Sequence, residues 1–200
     1  TRSSLGTDII NKWGFSADMR KNDPKIPNEK LVVTDNPFKN WMDTEKVVLV
    51  PAINTDVTIL HVQKADRQGT GRIEGLTFAD VEQAKSAKHL ILTCEELVDQ
   101  NELRAAPHQN QIPFINVDAV VHVPHGAYPT ACHNYYDYDP IYLNEYGKAA
   151  RNDELFNTYL KKYVYGVDGQ EELIALVGED RMKTIKADPN VGYAVNLKRN

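Results

Sequence analysis

Hydrophobic and polar positions fall into blocks along this chain, and the sharpest block is Val57–Leu60, a mostly apolar run (Val-Thr-Ile-Leu) with Asp56 before it and His61-Val62-Gln63 after. Such a run predicts a strand buried on both faces of a parallel sheet, because a half-exposed strand alternates. Lys64-Ala65-Asp66-Arg67-Gln68-Gly69 then turns charged, polar and finally glycine, so the chain leaves the sheet there. Thr77-Phe78-Ala79-Asp80 puts an N-cap residue three positions before an acid, close to a capping box, and predicts a helix running to Lys88. His89–Cys94 reads as the next buried strand and ends in Glu95-Glu96. Asp99–Ala106 reads as a short helix stopped by Pro107, and Asn116–Val123 as a third strand ended by Pro124. Strand, helix, strand, helix, strand predicts a parallel sheet with right-handed crossovers.

The flanks are less regular. Residues 16–45 lack a clear period, although Lys30–Thr34 and Val47–Val50 read as short strands and Asp35-Asn36-Pro37-Phe38 as a turn. From Pro140 onward the pattern is mainly helical: Leu155, Tyr159, Lys162 and Tyr163 share one face, as do Leu173, Leu176 and Val177. Gly166 and Asp168-Gly169 mark the break between those helices, and Tyr193–Leu197 reads as a last edge strand. A length of 200 residues suits one α/β domain spanning residues 1–200. The net charge of −5 argues against nucleic acid as a partner. No run approaches the ~18 apolar residues that span a bilayer, which argues against a membrane. Two cysteines, Cys94 and Cys132, make a poor disulfide framework, so a reduced, cytoplasmic setting is expected.

Ligands of open α/β sheets sit just past the carboxyl ends of the strands, which makes His61, Gln63 and Asp66 candidate binding residues. Loop capping and subunit contact are the competing uses. Gly69-x-Gly71-x-x-x-Gly75 imitates a dinucleotide fingerprint, but its third glycine falls one residue late and the loop to Thr77 is too long. His122, His125, Cys132 and His133 lack the paired spacing of a zinc site, so no metal is expected. No G-x-S-x-G elbow is present, and Cys132 beside His133 is an adjacency rather than a hydrogen bond. Glu95-Glu96 could share a proton or a cation, but a helix N-terminal charge or an ion pair with Arg104 is the preferred reading. Tyr135-Tyr136-Asp137-Tyr138-Asp139 reads as an interface patch, since its acids would repel phosphate. Residues 1–8 are either a frayed end or a loop whose Arg2, Ser3, Ser4 and Thr7 suit a carboxylate or thioester.

Several stretches together resemble the α chains of the glutaconate-type, family I CoA-transferases. They are WGFSADMRK (13–21), TDNPFK (34–39), DVTILHVQKADRQG (56–69), TCEELV (93–98), ELRAAP (102–107), IPFINVDAVVHVPHGAYPT (112–130) and YYDYD (135–139). The resemblance implies a three-layer α/β/α fold with a mainly parallel sheet. It also implies transfer of CoA between carboxylic acids through a glutamyl-CoA thioester. Coenzyme A would then be a co-substrate and no cofactor would be bound. The partner it implies is a β subunit, in an α2β2 or α4β4 hetero-oligomer. The nucleophilic glutamate of that family belongs to the β subunit. It has no match here, so no catalytic residue is expected in this chain. The family's G-G-F segment lies upstream of everything here, so the chain resembles the carboxyl-terminal part of an α subunit. On that resemblance Arg2, Ser3, Ser4, Gly6 and Thr7 become an internal loop lining the acyl end of the site. The same loop, Arg2-Ser3-Ser4-Leu5-Gly6-Thr7, also resembles the R-x-G-L-G-S of ring-opening CoA-thioester hydrolases in the same superfamily, which stand as the alternative. Their catalytic glutamate lies just upstream of that loop.

Overall fold

The computed structural model describes residues 32–37, 46–49 and 55–198. The chain's contacts divide it into two compact units, Thr1–Ile53 and Asn54–Asn200. In the first, β1 (Val32–Asp35) pairs antiparallel with β2 (Lys46–Leu49), close to both strands expected there. The loop candidates Arg2, Ser3, Ser4, Gly6 and Thr7 lie outside the described residues.

The second unit is built on a mixed, mostly parallel sheet of order β4-β3-β5-β6 flanked by helices, an α/β fold. Its strands are β3 (Thr55–Ala65), β4 (Gly71–Arg72), β5 (Ala87–Leu97) and β6 (Ala119–His122). β5 runs parallel to β3 on one side and to β6 on the other, with His61 beside Thr93 and Cys94 beside His122. β4 returns antiparallel to β3. The Asp66 carboxylate makes that return possible: its Oδ1 accepts the amides of Gln68 and Thr70 at 2.9 and 3.0 Å. Gly69 takes φ +104° in the turn, where a side chain would be strained. Gly71 fits where a Cβ would stand 3.0 Å from Leu92. The glycines therefore serve a hairpin and close packing, not a phosphate-binding turn.

Because side chains alternate across a strand, the sheet has two different faces. One carries Leu60 and Val62 of β3 with Leu90, Leu92 and Cys94 of β5, all buried, under Ala84 of α1 (Asp80–Ser86) and beside Ile73 and Ile112. The other carries Val57, Ile59 and His61. Val57 and Ile59 are 52% and 65% exposed, so burial of the apolar run on both faces is not what the structure shows. The run is continuous because β-branched residues suit a strand on either face, not because both faces are covered. α1 is also shorter than expected. It starts at Asp80, whose amide donates to the Thr77 carbonyl at 2.8 Å, and no side chain caps it. α2 (Gln100–Arg104) falls within the short helix expected over Asp99–Ala106 and is capped by the Asp99 side chain.

The carboxyl-terminal helices are α3 (Pro140–Ala149), α4 (Asp153–Tyr163), α5 (Gln170–Val177) and α6 (Glu179–Ile185). They pack around a tyrosine-rich cluster of Tyr128, Tyr136, Tyr142 and Tyr163 with Ile185. The Tyr135–Asp139 stretch, expected as an interface patch, is core instead. Tyr136, Asp137 and Asp139 are all buried. Asp139 caps α3 through the Ile141 and Tyr142 amides at 2.9 and 3.0 Å, accepts the Tyr128 hydroxyl at 2.5 Å, and meets Arg181 Nε at 2.6 Å. Asp139 is turned inward to satisfy a helix end and an arginine, while Asp137 accepts the Tyr138 and Ala194 amides. Tyr193–Leu197 forms turns and no strand, tied in by the Asp188 amide donating to the Tyr193 carbonyl. Among the described residues no helix is long and apolar enough to cross a membrane.

Truncating Leu92, fully buried on the closed face, should cost about 2–5 kcal/mol, whereas Ile59→Ala on the open face should cost about 1 kcal/mol or less. Urea midpoints of the two variants test this; equal losses would mean that the second face is buried.

Candidate functional site

At the carboxyl end of β5 the alternation of side chains separates the two glutamates the sequence pairs. Glu95 points to the face shared with His61 and is buried, while Glu96 is exposed and lies 3.7 Å from Lys64. They are therefore not a carboxylate pair. Three donors converge on Glu95. Its Oε1 accepts His61 Nε2–H at 2.7 Å and the Tyr136 hydroxyl at 2.6 Å, and its Oε2 accepts the His125 backbone amide at 2.8 Å. Burial alone would push the Glu95 carboxyl up, but these hydrogen bonds, His61 first, outweigh it and hold the group below its ordinary value. It is a carboxylate at neutral pH.

That charge sets the protons around it. His61 Nδ1 lies 2.8 Å from Thr93 Oγ1, which in turn lies 3.3 Å from the Leu60 carbonyl. If the threonine proton goes to Leu60, the ring carries both protons; if it goes to Nδ1, the ring is neutral and keeps its proton on Nε2. Nε2 donates to Glu95 in either case. Tyr136 accepts the Ala127 amide at 3.0 Å while donating to Glu95, and burial followed by that bond raises its pKa. Gly126 packs on the His61 ring so closely that a Cβ would stand 2.6 Å from it. One carboxylate thus fixes the ends of two parallel strands, the loop after β6 and the start of the tyrosine core.

His125, in that loop, has φ +60°, a left-handed conformation that costs roughly 1–2 kcal/mol for a residue with a side chain. Its amide is held by Glu95, its carbonyl accepts Gln170 Nε2 at 2.5 Å, and its ring packs against Tyr136 with centroids 5.3 Å apart. The ring borders a cavity of about 810 Å³ whose wall includes Glu95, Tyr135, Tyr136, Ile174, Met182 and Lys186. It also borders a second cavity of about 560 Å³ between the loop after β6 and the start of α5.

The sequence-derived candidates separate here. His61 joins the Glu95 network. Gln63 is buried beside it and spans the loop, accepting the Glu74 amide at 2.9 Å and donating to the carbonyls of Glu74 and His133. Asp66 caps the β3–β4 turn with Oδ1, while its buried Oδ2 has no hydrogen-bond partner. Glu95 is the residue the sequence undervalued. Its signal was a glutamate ending an apolar strand, but which face it would take, and that His61 would stand across from it, depended on strand register. His125 stands out in the sequence only within the His/Cys set that lacks zinc-site spacing, and by its place after a strand.

His61, Glu95 and Cys132 offer ligand atoms within 4.8 Å of one another. Their chemistry does not suit an ion, since the histidine and carboxylate are spent on each other and burial pushes the Cys132 thiol up to about 12.

The family model for coenzyme A transferase matches residues 6–123. The A subunit of glutaconate CoA-transferase from Acidaminococcus fermentans is 39% identical over 97% of this chain and 60% of its own length. The crystal structure of glutaconate coenzyme A-transferase from Acidaminococcus fermentans superposes with a TM-score of 0.78 at 40% identity, over 96% of this chain and 59% of that one. The cholesterol ring-cleaving hydrolase IpdA subunit of Rhodococcus jostii is 25% identical over 82% of this chain and 52% of its length. The chain thus spans between about half and three-fifths of the length of these curated relatives.

Because the folded-state value of Glu95 is depressed, the stability it contributes is complete above the ordinary 4.5 and is lost as pH falls below that through the lower folded value. Glu95→Gln should cost about 3 kcal/mol at neutral pH, since one donor must then face the amide NH2. It should also flatten the stability–pH curve below pH 4.5. Urea titrations across that range, on both proteins, check the sign.

Proposed function

The chain belongs to the coenzyme A transferase family, and on that footing we propose that it is the α chain of an enzyme that moves CoA between carboxylic acids. What carries the reading is its likeness, along nearly the whole chain, to the A subunit of glutaconate CoA-transferase. The partner is a β subunit that brings the nucleophilic glutamate. Attack by that glutamate and formation of a glutamyl-CoA thioester divide one hard acyl transfer into easier steps.

The structure supports a positioning role for this chain's own carboxylate. A nucleophile needs an oxygen free to approach the acyl carbon, and both Glu95 oxygens already hold donors. Glu95 instead fixes the His125 loop and Tyr136 around the cavity. Arg2, Ser3, Ser4, Gly6 and Thr7 are proposed to line the acyl end; they lie outside the described residues, and their part rests on sequence resemblance. His61 and Gln63 act from beneath, holding Glu95 and the loop before α1. Asp66 shapes the β3–β4 turn through Oδ1. Coenzyme A enters as a co-substrate.

The ring-opening hydrolase is the second reading, supported by the Arg2–Thr7 resemblance and by the weaker likeness to the ring-cleaving hydrolase. The two differ in product. Incubating the purified complex with an acyl-CoA and isotopically labelled acetate should give labelled acetyl-CoA while total thioester stays constant. Thioester loss as free CoA, or a ring-opened CoA ester without exchange, would remove the transferase reading.

A further inference from the structure

Two loops of the second unit carry large apolar side chains into solvent. Leu76 and Phe78, between β4 and α1, are 80% and 87% exposed. Val191, Tyr193 and Val195 are exposed on the turns that follow α6. The His133 ring joins the two segments. A Cβ on Gly75 would stand 3.2 Å from its Cδ2, and a Cβ on Gly192 would collide with its Cε1. Hydrogen bonds close the same joint. Asn134 donates its backbone amide to the Gly192 carbonyl at 2.9 Å and its side-chain amide to Glu74. Gln63 Nε2 holds the carbonyls of Glu74 and His133 at 3.2 and 3.3 Å. The exposed apolar residues therefore stand on two segments locked side by side.

The backbone is bent to present them. Gly75, Phe78, Asn134 and Gly192 all take left-handed φ, at +96°, +38°, +72° and +78°. That conformation disfavours a bulky residue, and Phe78 adopts it with its ring turned to water rather than into a core. Strained residues gather where a contact makes use of them. An aromatic-led apolar patch on a preformed backbone has the make-up of the centre of a protein interface. Its rim narrows the partner. Residues 74–82 and 188–195 include Glu74, Asp80, Glu82 and Asp188, and no lysine or arginine. Two copies of this surface would set like charges against each other, so it does not suit self-association. It suits a different protein, with an apolar face and a basic rim.

We propose that the Leu76–Phe78 loop and the Val191–Val195 turn together form this chain's contact with the β subunit. The identity of the partner rests on the transferase reading, and the surface rests on the geometry of the two loops.

The test is sedimentation of the purified complex across a dilution series. It compares the native protein with a Leu76→Ser/Phe78→Asn double variant and with Ile59→Ser on the open sheet face. Asparagine tolerates a left-handed φ, so it removes the ring and keeps the turn. The double variant should release its β chain at concentrations about a hundredfold higher than the native complex, tenfold for each buried anchor lost. Ile59→Ser should dissociate as the native complex does. Native dissociation of the double variant overturns the proposal, and β release by Ile59→Ser alone would place the contact on the sheet face instead. A double variant that keeps its β chain but loses a second copy of this chain also overturns it, by assigning the patch to self-association. Should the double variant fail to fold, Val195→Asp on the other segment decides alone, by the same shift or its absence. Release of the partner by the double variant, from a complex whose native form shows no CoA exchange, would sink the transferase reading and leave this surface standing. Exchange in a native complex whose dissociation the loop does not affect would do the reverse.

Discussion

One buried carboxylate holds the sheet, the loop after β6 and the tyrosine core of the second unit in register. Glu95 ends a central strand of the sheet, and its two oxygens take up protons from a neighbouring strand, from the loop that follows the edge strand, and from the first turn of the tyrosine core. A charge taken out of water is tolerated only when it is paired and hydrogen-bonded, so the elements supplying those donors have little freedom to move independently. The left-handed His125 and the close approach of Gly126 to the His61 ring are consequences of that convergence. So is the cavity between the sheet edge and α5–α6, whose inner wall is made of the groups that Glu95 positions.

The order of elements was legible in the sequence because it depends on local signals: apolar runs, and prolines after strand and helix. What stayed hidden depends on register and on distant partners. A run such as Val57–Leu60 reads the same whether its second face is covered or open. Glu95 and Glu96 look like a pair until the pleat sends them to opposite faces. The Tyr135–Asp139 stretch looks like surface because its acids are counted as solvated charges. Asp139 is buried because Arg181, more than forty residues away, and the free amides of a helix start both need it. The late third glycine and the long loop to Thr77 speak against glycines 69, 71 and 75 as a nucleotide fingerprint. Their use in a hairpin became visible only once Gly71 was seen against Leu92.

Membership of the coenzyme A transferase family gives these details a chemical setting. Covalent acyl transfer needs a carboxylate with a free, accessible oxygen and a second set of groups to orient the acyl donor. The described part of this chain holds a loop anchored on Glu95, a left-handed histidine and a mostly apolar cavity wall. Both oxygens of its Glu95 carboxylate are taken up by donors.

The most direct measurement is borohydride trapping of the complex after incubation with an acyl-CoA, followed by mass spectrometry of every glutamate-containing peptide. Borohydride reduces an enzyme–CoA thioester and marks the glutamate that carried it. The account predicts an unmodified Glu95 and a reduced glutamate on the partner chain. Reduction at Glu95 would contradict it and make this chain the nucleophile's bearer.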